Sequence, residues 1–204
     1  MLMFEYKIFF TIISIFIGLL GYAFYYKDIF RGKTKPHAFS WLVWSLLAGI
    51  AFFGQISDQG GIGAWVSGFT TIVSFSIFII ALWKGENNIT LSDKLSLSGA
   101  GVALFLWYVT NNPFASIILI TVIYTFGGFY PTVRKSYSKP QEETILTYFF
   151  DGIKWLIALF ALENYSVITS LYPLAAFCMN SIFVGLLIIR RRHKKNESTF
   201  TPSS

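Results

Sequence analysis

A chain of 204 residues that is 54% hydrophobic and 13% charged lacks the polar surface of a soluble domain, where about 25% charged residues is usual. A mean hydropathy of +0.59 points to a bilayer as the solvent. The formal net charge of +6 would suit nucleic acid, but Lys and Arg fall in short segments between apolar runs, as they do in cytoplasmic loops, so nucleic acid is excluded as a partner.

A helix needs about 20 mostly apolar residues to cross the hydrocarbon core. Seven runs meet or approach that length, at roughly residues 8–26, 38–57, 63–83, 94–110, 113–131, 144–162 and 167–189. None shows the alternation of a membrane barrel strand. The 22 Phe, 11 Tyr and 6 Trp suit lipid-facing and interfacial positions. The N-terminal run is expected to stay in place rather than be cleaved: Glu5 interrupts the leading charge, no small-x-small site follows, and the run is long enough to span.

The connecting segments alternate in charge. Lys27, Arg31, Lys33 and Lys35 follow the first run, whereas "SDQGGIG" after the second has no Lys or Arg. Lys84 and Lys94 follow the third, and "TNNP" after the fourth has neither. Arg134, Lys135 and Lys139 follow the fifth, "ENYS" after the sixth has neither, and Arg190, Arg191, Arg192, Lys194 and Lys195 follow the last. Short basic loops stay in the cytoplasm, so the N-terminus is expected outside and the C-terminus inside a cell or inner membrane.

The basic segment occurs twice. "YYKDIFRGKTKPHAFSW" (25–41) aligns without a gap on "FYPTVRKSYSKPQEETI" (129–145) at an offset of 104, placing Tyr26 on Tyr130 and Lys35-Pro36 on Lys139-Pro140. Later, "FSIF" at 75 matches "NSIF" at 180 with a one-residue slip. A repeat of this length sets the architecture. The expectation is an all-α membrane protein with seven transmembrane helices, built as two parallel three-helix repeats joined by a linker helix. Residues 1–91 form the first bundle, 92–111 the linker, 112–190 the second bundle and 191–204 a basic, polar, disordered cytoplasmic tail. Both repeats start on the same side, which makes them parallel repeats about an axis along the membrane normal.

Few polar residues lie inside the runs. Asp151 and Lys154 are near the middle of the sixth, three residues apart, with Trp155 on the same face. A mid-helix charge costs about 2.5–3.5 kcal/mol on insertion scales and usually faces the bundle interior. Asp151 reads either as a solute hydrogen-bond acceptor or proton site in a cavity wall, or as half of a neutralised structural pair. For Lys154 the pair, or snorkelling of its head group, is the simpler account. Asn180 lies near the middle of the seventh run. An interhelical amide bond gives only about 0.6 kcal/mol on average, which favours a pocket position over a purely structural one. Trp41, Trp44, Ser45, Ala48, Phe52 and Gln55 form one stripe on the second helix. Trp41 fits an interfacial belt, and Trp44 fits either a belt or stacking on a solute. Asp58, at the outer end of the second helix, reads either as a gate residue that closes that end by hydrogen bonding or as a solvated residue. Gly127 and Gly128 precede Pro131, which reads as a hinge or as close packing. Gly18 and Gly21 offer the same choice on the first helix.

"YPTVRKSYSKPQEET" resembles the loop of the PQ-loop superfamily and, within it, the SWEET-type (MtN3-like) transporters. Pro131 stands at the motif's proline, Thr132 at its glutamine, and Lys139-Pro140-Gln141-Glu142 at its second half. The first copy has Lys27 where Pro131 stands. The resemblance implies two triple-helix bundles around a central pocket and passage of a sugar or another small solute. It also implies pocket-lining asparagines on the third helix of each bundle, a place Asn180 holds, while the first half offers Ser74 and Ser76.

The expected function is therefore transport of a small polar solute by alternating access. Trp44, Ser76, Asp151, Trp155 and Asn180 would line the pocket, and Asp58, Gly127, Gly128 and Pro131 would serve as gate or hinge. No cofactor and no metal are expected: Cys178 is alone, and His37 and His193 share no ligand spacing. No nucleophile, phosphate-loop or zinc-helix motif is present, so an enzyme is not expected. The partners are the solute and the bilayer, with a homo-oligomer compatible with the sequence. The alternative is a receptor or assembly protein of the same fold, whose basic loops and "RRRHKK" tail bind lipid or a partner.

Overall fold

The computed structural model describes residues 2–86, 90–110, 112, 117, 119, 121–123 and 128–200. Seven α-helices lie among them: α1 (Leu2–Phe30), α2 (Ala38–Ser57), α3 (Trp65–Lys84), α4 (Leu91–Thr110), α5 (Phe129–Ser138), α6 (Ile145–Ala161) and α7 (Val167–Phe200). Single 3-10 turns occupy Gly61–Ala64 and Pro140–Glu142. There is no strand among the described residues.

Among the described residues, four helical stretches are long and apolar enough to cross a membrane: Glu5–Phe30, Ala38–Ser57, Gly61–Lys84 and Val167–Asn196. The helix α6 has 17 residues, and most of the expected fifth helix lies outside the described residues.

Three helix C-termini lie beyond the expected ends. The helix α1 continues through the first basic copy to Phe30, α5 continues past Pro131 to Ser138, and α7 continues past Ile189 to Phe200. The apolar run sets how much of a helix sits in hydrocarbon, not where the helix stops. Lys, Arg and Tyr carry no helix-breaking penalty comparable to Gly or Pro. The expected disordered tail is therefore helical as far as Phe200. Pro131 sits in the first turn of α5, where its missing N–H costs little, and the helix continues beyond it to Ser138 instead of ending there.

The helix α1 lies along α6, α2 along α3, and α6 along α7, with lesser packing of α2 on α4 and α7 and of α1 on α3. Glycines permit the first of these contacts. A Cβ at Gly21 would meet Phe150 Cβ at 2.9 Å, and one at Gly18 would meet Lys154 Cδ at 2.8 Å. The helix α7 carries Pro173 inside it, so the carbonyl of Thr169 loses its usual N–H donor four residues on. Gln55 of α2 supplies the replacement, donating from Nε2 to Thr169 O at 2.9 Å, while Ser67 of α3 donates to Gln55 Oε1 at 2.7 Å.

The two copies of the duplicated segment meet each other. Thr144 Oγ1 donates to Asp28 Oδ2 at 2.9 Å, and Thr132 Oγ1 donates to Ser40 Oγ at 3.0 Å. Shifting by 104 and exchanging halves turns one pair into the other. The aromatic layer repeats the pattern: Tyr25 and Tyr148 have ring centroids 6.4 Å apart, and their counterparts Phe129 and Trp44 are 5.0 Å apart. Such reciprocal contacts are the signature of a two-fold relation between like surfaces.

Candidate functional site

The site is built on α6. Asp151 sits among apolar residues with 14% of its side chain exposed, and Lys154 has none exposed. Asp151 Oδ1 accepts from Lys154 Nζ and from Tyr22 Oη, the latter at 2.8 Å. Its Oδ2 accepts from Trp155 Nε1 at 2.9 Å and from Asn180 Nδ2 at 3.1 Å. An ionised carboxylate offers about four lone-pair sites, and four donors meet them here. Lys154 uses its three protons on Asp151, Tyr22 Oη (3.1 Å) and Thr70 Oγ1 (2.9 Å). Its ammonium also lies 4.3 Å from the Trp155 ring centroid and 5.1 Å from that of Tyr22.

This satisfaction is what makes a buried pair tolerable. Desolvating two charges is repaid only when geometry and extra hydrogen bonds supply the return. The pair also ties four helices together: α1 through Tyr22, α3 through Thr70, α6 itself and α7 through Asn180.

Beside the pair lies a cavity of about 20 Å³, enough for a single water. Its walls are the aromatic rings of Tyr22, Trp41, Trp44, Phe129, Tyr148, Trp155 and Tyr172, with Thr70, Ser74, Thr147, Asp151 and Asn180 as polar members. Four of the five pocket residues read from the sequence, Trp44, Asp151, Trp155 and Asn180, come together on it. Ser76 does not. Its hydroxyl donates to Val73 O at 2.7 Å and pairs with Tyr26 Oη. Two residues turn a helix by about 200°, so Ser74 faces the cavity and Ser76 faces α1.

Contacts between the halves lie at both ends of α2 and α6, the helices that carry Trp44 and Asp151. At the basic end, Glu143 has a fully buried carboxylate that accepts from Lys135 Nζ at 2.8 Å, Tyr148 Oη at 2.9 Å and Tyr25 Oη at 3.3 Å. Lys135 also reaches the carbonyl of Lys35 in the other copy. At the opposite end, Asn164 Nδ2 donates to Asp58 O at 2.9 Å, Ser166 Oγ donates to Asp58 Oδ2, and Glu163 N donates to Gly60 O at 3.1 Å. Lys7 of α1 caps the last carbonyls of α6, donating to Phe160 O at 3.1 Å and to Leu162 O, where a cation suits the helix dipole.

Of the expected gate and hinge residues, Asp58 sits in a hydrogen-bonded contact between the halves. Gly128 stands against the Trp44 indole: a Cβ there would lie 2.2 Å from Nε1. Pro131 is buried in α5. Gly127 lies outside the described residues.

Sequence reasoning passed over Tyr22, Tyr25, Thr70, Lys135 and Glu143. The tyrosines read as an interfacial belt. Lys135, counted as a loop charge, has only 4% of its side chain exposed. Glu143 follows Glu142 in a polar run, and nothing local distinguishes the buried acid from the partly exposed one.

No family model matches the chain, and neither a curated protein nor a solved structure does.

Proposed function

We propose that the protein is an integral membrane carrier that moves a small polar solute, a sugar or a similar metabolite, by alternating access between two helix bundles. In this reading the seven helices are two parallel trios joined by α4, the N-terminus is outside, and the C-terminus is in the cytoplasm of a cell or inner membrane. The observation that carries it is the cavity at Asp151 and Asn180, lined from both halves, with hydrogen bonds running between the halves at either end of α2 and α6. A void that holds one water admits no solute, so in this reading the halves must part for one to enter.

The chemistry of the wall narrows the solute. Asp151 and Lys154 cancel, so the wall carries no net charge, and a charged solute would bring an uncompensated charge into it. Aromatic faces beside Asn180 suit a ring or a hydroxylated carbon face. The helix pair α1–α6 and the loop contacts are the surfaces on which the bundles would rock.

Reconstitution into vesicles containing only this protein tests the proposal. Accumulation of a labelled solute from a panel of sugars, amino acids and vitamins is expected, lowered by Asp151→Asn. Binding without flux would favour a receptor of the same fold, a second reading favoured by the saturation of Asp151: every acceptor site already has a donor.

A further inference from the structure

We propose that Glu143 and Lys135 form the latch of the gate at the basic end of the cavity, and that this buried ion pair makes the basic end harder to open than the opposite one. The inference rests on the carrier reading above and assigns a positioning role to two residues outside the cavity.

The layer directly below Glu143 is the reciprocal aromatic set. Tyr25, Trp44, Phe129 and Tyr148 are all buried, and three of them, Trp44, Phe129 and Tyr148, also line the cavity. They line its basic side, and in this reading the path from that side to Asp151 runs between them. Rings alone can slide, because ring contacts are weakly directional. The hydroxyls of Tyr25 and Tyr148 are fixed, since both donate to Glu143 Oε2. Tyr25 belongs to the first half, and Glu143, Lys135 and Tyr148 to the second. The Glu143–Tyr25 bond and the reach of Lys135 to the Lys35 carbonyl therefore cross between halves and must break for that side to open.

The repeat provides a control inside the molecule. The position equivalent to Glu143 is Phe39 and the position equivalent to Lys135 is Arg31, which is exposed. The aromatic layer is duplicated, but the ion pair is not. At the far end, the contacts of Asp58 lie in a partly exposed turn, where water competes for them. A charge-assisted bond in a dry site is stronger than its wet counterpart. The basic end is the harder of the two to open.

The test uses the full-length protein in vesicles with Cys178→Ser and Ser74→Cys, which places one thiol on the cavity wall. A membrane-impermeant maleimide is applied from each side. Glu143→Gln, which keeps shape and removes charge, is expected to speed labelling about tenfold from the side of the basic loops and leave the other side unchanged, as loss of one charge-assisted bond implies. Tyr25→Phe, which deletes the hydroxyl that donates to Glu143 and also accepts from Trp41 Nε1, is expected to act in the same direction by a smaller factor, and it carries the test alone if Glu143→Gln does not insert. Unchanged labelling in the variants, or faster labelling from the opposite side, overturns the latch. Solute flux in the same vesicles separates the two claims. Flux with unchanged labelling sinks the latch and spares the carrier, whereas a one-sided labelling change without flux for any solute of the panel spares the latch and sinks the carrier.

Discussion

Trp44 and Tyr148 occupy the same place in the two copies of the repeat, and their rings face each other with centroids 6.5 Å apart. A residue that meets its own counterpart lies on the axis relating the halves. Around this pair the chain places its bulkiest side chains, and just beyond it the buried charges.

Gly128 is fixed by that axis. Its Cα borders the Trp44 indole, and a methyl group added there would lie 2.6 Å from Cδ1. Gly128→Ala is expected to push the indole out of place and to destabilise the fold by about 1–3 kcal/mol, the usual cost of overpacking. Thermal unfolding in detergent measures this. Trp44→Phe, added to the first change, should recover part of the loss; full additivity would mean the two residues do not meet.

Asp151→Asn leaves Lys154 buried with its charge unmatched. Breaking one partner of a buried pair costs about 3–5 kcal/mol, so a sharp fall in thermal midpoint is expected together with lost uptake. The double variant Asp151→Asn, Lys154→Met removes both charges and should regain stability. Uptake that returns along with stability would show that Asp151 serves the fold alone.

Gln55 and Pro173 are coupled through one carbonyl. Gln55→Leu strips Thr169 O of its donor and is expected to cost about 1 kcal/mol, the scale of interhelical hydrogen bonds in membranes. With Pro173→Ala already present, the backbone N–H of residue 173 can serve the same oxygen, and the cost of losing Gln55 should shrink. A double-mutant cycle reads the difference. Equal costs in both backgrounds would refute the coupling.

Asp58→Ala opens the other end in the carrier reading. Labelling of Ser74→Cys is expected to quicken from the side opposite the basic loops. Its thermal midpoint should barely change, because water replaces the lost contacts of a half-exposed turn. Quicker labelling from the basic side would reverse the assignment of the two ends.

Much of this was legible from the chain. Composition shows helices in a bilayer-like environment, and the 104-residue offset brings Thr132 over Asp28 and Thr144 over Ser40 before any coordinates are seen. The spacing of Asp151, Lys154 and Trp155 already sets them on one face. Helix ends were read short at Phe30, Ser138 and Phe200, because hydropathy marks where lipid stops and helical hydrogen bonding continues through Lys, Arg and Tyr. Ser74 rather than Ser76 reaches the cavity, and the spacing alone does not choose between them, because the register of α3 against α1 and α6 is a packing outcome.

Sequence alone determined the kind of protein this is: long apolar runs, most charge in the segments between them, and a repeat that forces like surfaces together. Those properties depend on each residue's own chemistry and on distance along the chain, which a single sequence carries in full. Only the tertiary structure decided which polar groups found one another. Glu142 and Glu143 are alike in chemistry, yet one is partly exposed beside Lys35 and the other is buried between two tyrosines and a lysine. A buried charge survives only where several distant segments deliver donors to the same point, and that convergence exists only once the helices have packed.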